Sequence, residues 1–158
     1  MKVLGIDPGT AVTGYGVIEA PNGSPGFGRL IECGVIRLTQ RSPLQRRLAE
    51  LYDEIVALIK RHRPAVLALE DAFYHKNVRT TLVLGHARGV VLLAAEQYRL
   101  EIGQYSPATV KKSVVGAGGA PKAQVAAMVA RLLRLKEAPR PSDAADGVAV
   151  ALTYIIRT

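Results

Sequence analysis

The chain has 158 residues, 49% of them hydrophobic, which suits one domain with a full core and excludes an intrinsically disordered chain. A formal net charge of +8 favours a polyanionic partner such as nucleic acid, while a single cysteine, Cys33, excludes an internal disulfide and a thiolate metal site of its own. No unbroken apolar run of roughly 18 residues occurs and no signal-peptide pattern opens the chain, so neither a membrane span nor a leader is expected, and a cytoplasmic location fits.

Residues 3–10 read Val-Leu-Gly-Ile-Asp-Pro-Gly-Thr. An apolar run of this kind predicts a central buried strand, and Asp7 stands where Pro8-Gly9 ends it. Two readings of Asp7 stand side by side: an Asx hydrogen bond that opens the turn, or a rigidly held carboxylate open to metal or substrate. Residues 11–20 and 29–38 read as two further strands around the turn-rich Pro21–Gly26, giving an antiparallel meander of three. Ser42-Pro43-Leu44-Gln45 is a helix start in which Ser42 caps and Gln45 completes a capping box. Leu44, Leu48, Leu51, Ile55, Leu58 and Ile59 then follow helical spacing to Lys60-Arg61-His62-Arg63, an ordinary basic C-terminal turn, and Pro64.

Residues 65–69 read as a short buried strand that delivers Glu70, repeating the logic of Asp7. A strand reached through a helix predicts a parallel crossover, with Asp7 and Glu70 on the same edge of the sheet. In the following loop, Phe73 and Tyr74 beside Lys76 and Arg79 either stack on bases and touch phosphates or cover the core edge. A helix over about residues 78–98 carries Gly85 and Gly89, four apart. Glycine inside a helix costs about 1 kcal/mol against alanine, so a close packing partner is expected, either the sheet or a second subunit. Arg88 faces a salt bridge or a phosphate. A fifth strand at 102–105, a Ser106-Pro107 helix start ending in Val110-Lys111-Lys112, a glycine-rich loop at 116–119 and a helix opening at Pro121-Lys122 follow. Ser142 is read as the cap of the last helix, with Asp143 and Asp146 on one face of its first turns. They serve either the helix dipole or a metal.

Four acids drawn to one sheet edge would repel without a cation between them. Because their immediate neighbours in sequence are apolar or small, a divalent metal is the better candidate, and magnesium suits an oxygen-ligand site shared with phosphates.

At this point a resemblance covers nearly the whole chain in order. Gly5-Ile6-Asp7-Pro8-Gly9-Thr10 with Thr13-Gly14-Tyr15-Gly16-Val17, Leu69-Glu70-Asp71-Ala72-Phe73, Lys76-Asn77, Gly85-His86-Ala87-Arg88-Gly89, Lys122-Ala123-Gln124-Val125 and Asp143-Ala144-Ala145-Asp146 resemble the RuvC family of crossover junction endodeoxyribonucleases. The resemblance implies an α/β, RNase H-like fold with a five-stranded mixed sheet flanked by helices, as one nuclease domain over residues 1–158. It implies a homodimer that resolves Holliday junctions in recombination and repair by nicking two strands of like polarity. It implies Asp7, Glu70, Asp143 and Asp146 as catalytic ligands of two Mg2+ ions, with Mn2+ able to substitute. Phe73, Lys111 and Lys122 would touch DNA, to which the residue reading adds Tyr74, Lys76, Arg79 and Lys112. Gly85 and Gly89 would lie at the dimer interface, and a RuvA and RuvB type branch-migration motor would be a partner. The match departs at Gly147, where alanine is usual and glycine is expected to loosen the helix. Rival readings are a hybrid-cutting ribonuclease of the same fold and a non-catalytic junction-binding module. An actin-like ATPase is excluded, because it needs two such domains.

Overall fold

A computed structural model describes residues 1–71 and 76–158. Strands β1 (Lys2–Asp7), β2 (Val12–Glu19) and β3 (Arg29–Arg37) form the expected meander. Helix α1 (Leu44–His62) crosses to β4 (Val66–Glu70), and α2 (Val78–Gln97) crosses to β5 (Glu101–Tyr105). Helices α3 (Pro107–Val115), α4 (Lys122–Leu132) and α5 (Ser142–Arg157) complete the chain. The sheet order is β3-β2-β1-β4-β5. β1 runs antiparallel to β2 but parallel to β4, and β4 parallel to β5. This is the five-stranded mixed sheet of an RNase H-like fold. Pairing of Ile6 with Leu69 brings the next residues, Asp7 and Glu70, to one edge.

Strand alternation divides the core in two. Val3, Ile18, Val66 and Ala68 face α3, α4 and α5. Leu4, Ile6, Val17, Leu67 and Leu69 face α1 and α2. Each fully buried leucine, such as Leu152 of α5, contributes about 1.5–3 kcal/mol of transfer free energy.

Helix α5 lies flush on the sheet because glycine removes what would stand between them. A β-carbon at Gly14 would fall 1.8 Å from the Asp143 carbonyl oxygen, and one at Gly147 would fall 2.5 Å from the Tyr15 backbone. Gly147, expected from sequence to loosen the helix, has a packing role here: it lets α5 touch β2 along its first turns. That close approach carries Asp143 and Asp146 to the sheet edge.

The caps divide. Ser106 accepts from the Thr109 backbone N–H at 3.1 Å, as read from sequence. Ser42 and Ser142 do not cap: Pro43 and Pro141 occupy those positions without a side-chain hydrogen bond. Proline's fixed φ serves equally well just before a helix and at its first residue: α3 begins at its proline, Pro107, whereas α1 and α5 begin one residue after theirs. Asn77, unread as a cap, accepts from Thr80 N–H at 3.2 Å. Helix α3 also continues past Lys112 to Val115, ending at Gly116 in the left-handed conformation, φ 87°.

Helix α2 is apolar on two sides. Ala87, Val91, Ala94 and Ala95 are buried toward α1 and the sheet. Val78, Leu82, Gly85, Gly89 and Leu93 form a second, exposed stripe. By length and composition alone it would also pass for a membrane span, because its valines, leucines and alanines outweigh the polar residues that interrupt them. Gly85 and Gly89 face open space, which removes the sheet as their packing partner.

Candidate active site

Along β1, Val3, Gly5 and Asp7 share the face toward α5; along β4, Val66, Ala68 and Glu70 do the same. The rigid strands thus aim both carboxylates at the start of α5, where Asp146 waits. Asp7 shares a hydrogen bond with Glu70. Its carboxyl is pushed up to about 10 by burial first, then by that hydrogen bond and by repulsion from Glu70 and Asp146, against a smaller opposing pull from Lys122. Asp7 and Glu70 line two cavities of about 190 Å³ each, one on either side of them. The first opens toward α2 and includes Asp71, Thr81, Gly85 and Arg88. The second opens toward α3–α5 and includes Lys111, Lys122 and Asp146.

The sequence placed no cation among the acids, and the structure corrects this. Lys122 Nζ stands 3.0 Å from Asp146 Oδ2. Hydrogen bonding to Asp146 and the further field of Asp143 and Asp7 raise the Lys122 ammonium above its ordinary value. The signal in the sequence was Lys122 itself, read only as a DNA contact; its partner lies 24 residues away and no local rule connects them. Arg88 likewise resolves as an ion pair, with Asp71 at 2.7 Å.

The predicted residues separate into groups. Asp7, Glu70 and Asp146 converge, with Lys111 and Lys122 on the wall of the same cavity. Asp143 sits one turn before Asp146 and acts on Lys122 without lining either cavity. Lys112 lines a different groove, with Thr109, Ser113, Ile156 and Arg157. Lys76 and Arg79 are exposed where α2 begins. Phe73 and Tyr74 lie outside the described residues.

The donor set fits a hard divalent cation. Carboxylate oxygens are what magnesium takes, and the upward push on the Asp7 carboxyl beside two others marks crowded negative charge that Lys122 offsets only in part. Among the described residues no three of these groups form a ready-made cage, and Lys122 stands on Asp146 where a cation would otherwise sit.

Comparison with known proteins agrees with this geometry. The model of one family, crossover junction endodeoxyribonuclease RuvC, matches residues 3–154. The crossover junction endodeoxyribonuclease RuvC of Pelotomaculum thermopropionicum is 48% identical over 154 residues, covering 98% of this chain and 92% of the relative. The structure of Thermus thermophilus RuvC superposes with a TM-score of 0.90 at 35% identity, covering 99% of this chain and 94% of that one. A T. thermophilus RuvC in complex with a Holliday junction substrate superposes at 0.88 with 33% identity, over 99% and 94% of the two chains.

Proposed function

We infer the function from membership: this chain belongs to the RuvC family of crossover junction endodeoxyribonucleases, and it is a structure-selective endonuclease that resolves Holliday junctions by metal-dependent, symmetric nicking of two strands. The finer assignment concerns its residues. Asp7, Glu70, Asp143 and Asp146 are the catalytic carboxylates of the single nuclease domain and the ligands of magnesium, two ions per site, with manganese able to replace it. The observation that carries this is the convergence of Asp7, Glu70 and Asp146 on one cavity, where burial and the neighbouring acids push the Asp7 carboxyl up and the site's own charge asks for a cation. Bound magnesium would supply Lewis acidity and an activated water for in-line displacement at phosphorus.

The chain's own groups do the rest. Lys111 and Lys122 line the cavity beside the acids and attract the phosphate backbone; Lys122 exchanges Asp146 for a phosphate oxygen as substrate arrives. Lys76 and Arg79 extend the cationic track, with Lys112 on the neighbouring groove and Phe73 and Tyr74 as stacking groups. Base–aromatic stacking is worth about 1–3 kcal/mol, so Phe73→Ala slows junction cleavage by roughly 10-fold or more while thermal stability holds.

Symmetric nicking needs two sites related by a two-fold axis. The exposed Val78–Leu82–Gly85–Gly89–Leu93 stripe of α2 supplies a self-complementary face: the glycines admit a partner helix closely, and the leucines gain burial. We assign it to a homodimer that presents both sites to four-way junction DNA in the cytoplasm, downstream of a RuvA and RuvB type branch-migration motor.

The deciding experiment offers a mobile four-way junction, linear duplex and an RNA–DNA hybrid to the protein, with and without magnesium. Paired metal-dependent nicks on opposing strands of the junction alone are expected. Cutting of the hybrid alone would transfer the site to ribonuclease chemistry, and binding without cutting in any metal would make the chain a junction-binding module.

A further inference from the structure

Beside the carboxylates lies an arginine to which the reading above gives no task. Arg88 Nε stands 2.7 Å from Asp71 Oδ1. The contact is ionic rather than a well-aligned hydrogen bond, since Nε has no partner of good angle. Arg88 Nη2 donates to Gln104 Oε1 on β5. Asp71 is buried, and its own backbone N–H donates to the Tyr105 carbonyl at 2.7 Å, prolonging the β4–β5 ladder by one bond. A single guanidinium therefore joins three pieces of chain: α2, the residue just past β4, and β5. Arginine suits this task because its planar fork presents several donors at fixed angles, where an ammonium is a point charge.

Asp71 is one peptide bond from Glu70. Whatever fixes Asp71 fixes where β4 stops, and thereby the carboxylate that shares a hydrogen bond with Asp7. Arg88 also forms part of the wall of the cavity that Asp7 and Glu70 line toward α2. On the helix it lies between Gly85 and Gly89 of the uncovered stripe, so its backbone moves with that stripe.

We propose that Arg88 is a positioning residue: through Asp71 it sets the Glu70 carboxylate against Asp7, and it makes that setting depend on where α2 lies. The proposal rests on Glu70 being a working carboxylate, as inferred above. When a second copy covers the stripe, α2 is held and the clamp with it, so assembly and site geometry are linked by one side chain.

Four variants of the full chain test this: Arg88→Gln, Arg88→Lys, Asp71→Asn and the double Asp71→Asn/Arg88→Gln. Three quantities are read for each: Mn2+ binding to the DNA-free protein by electron paramagnetic resonance, junction affinity without metal, and single-turnover junction cleavage. Displacement of a catalytic group by about 1 Å costs about 100-fold in rate. Arg88→Gln is expected to weaken Mn2+ binding and to slow cleavage by about 10- to 100-fold, while metal-free junction affinity stays within about two-fold. Arg88→Lys, which keeps the charge but not the fork, is expected to fall between. The double variant, which removes the unpaired buried charge, is expected to melt near wild type yet still cut slowly. Wild-type Mn2+ binding and cleavage in Arg88→Gln would overturn the proposal. So would full recovery of cleavage in the double variant, which would reduce Arg88 to a neutraliser of Asp71. Failure of the wild type to cut any junction would instead refute the functional reading, and the Mn2+ measurement would still decide the clamp.

Discussion

Two clusters of ionisable side chains on this sheet settle their charge in opposite ways. On the meander side, Glu32 of β3 accepts from Arg61 Nη2 at 2.6 Å and stands 3.5 Å from His62 Nε2. Burial alone would raise its carboxyl, but hydrogen bonds from Arg61, Tyr15 and His62 outweigh that and hold it below its ordinary value. At the strand ends, the ion pair among the described residues joins Lys122 to Asp146, and Asp7 beside Glu70 is driven far upward. The first cluster is matched and fastens α1 to an outer strand. The second is short of positive charge and burdens the fold. A burden of this kind marks a site where stability yields to chemistry.

Replacing Asp7 with asparagine should break the comparison most sharply. Cleavage should fall by about 1,000-fold or more with junction binding kept. In metal-free buffer at neutral pH the same variant should melt higher than wild type. The sign follows from the raised carboxyl: protonated in both states at low pH, it costs the fold nothing there, and the cost grows as pH rises past the ordinary value of 3.8. The melting advantage of the variant should therefore vanish near pH 3; an advantage that persists there would deny the strain. Next comes Lys122→Met, expected to slow cleavage by about 100-fold. Its effect on melting should be small, because its side chain is 68% exposed and exposed pairs contribute about 1 kcal/mol or less.

Gly14→Ala tests the packing beneath the acids. Its new methyl would strike the Asp143 carbonyl oxygen, and overpacking of this kind costs about 1–3 kcal/mol. Calorimetry should show a drop of about 2–4 °C per kcal/mol for a chain of this size, with cleavage lost beyond what the unfolded fraction explains. The smallest effect belongs to the matched cluster. Glu32→Gln should cost about 1 kcal/mol at neutral pH and leave cleavage unchanged. Because the Glu32 carboxyl is depressed, its contribution is present above the ordinary value of 4.5 and is lost as pH falls through the folded value. Wild type and variant should converge in acid.

What the sequence made legible was whatever a strand or helix reports locally. Buried runs ending in Asp7 and Glu70, a crossover between them, and two acids at a helix start were enough to place three of the four acids together, and the ordered motifs supplied the family. What it hid was pairing across distance. Arg61 looked like a dipole-facing helix end, since Glu32 is 29 residues away on another strand. Arg88 gave two readings until Asp71 and Gln104 were seen beside it. The two missed serine caps failed for a local reason: beside a serine, proline can itself stand just outside the helix, as Pro43 does after Ser42 and Pro141 does before Ser142. The face of Gly85 and Gly89 was undecidable because α2 is apolar on both sides, so periodicity alone assigns no inside.

The acids stand at positions 7, 70, 143 and 146, and the last two ride on the helix that lies flush against the first strands. A ribosome delivering this chain therefore releases its earliest carboxylate long before its final pair. Until α5 docks, Asp7 and Glu70 face an open half-site, and half of the core lacks its cover. On the assignment of Asp143 and Asp146 proposed above, cutting power would arrive only with the completed fold, and a chain lacking α5 would be expected to leave the DNA around it intact.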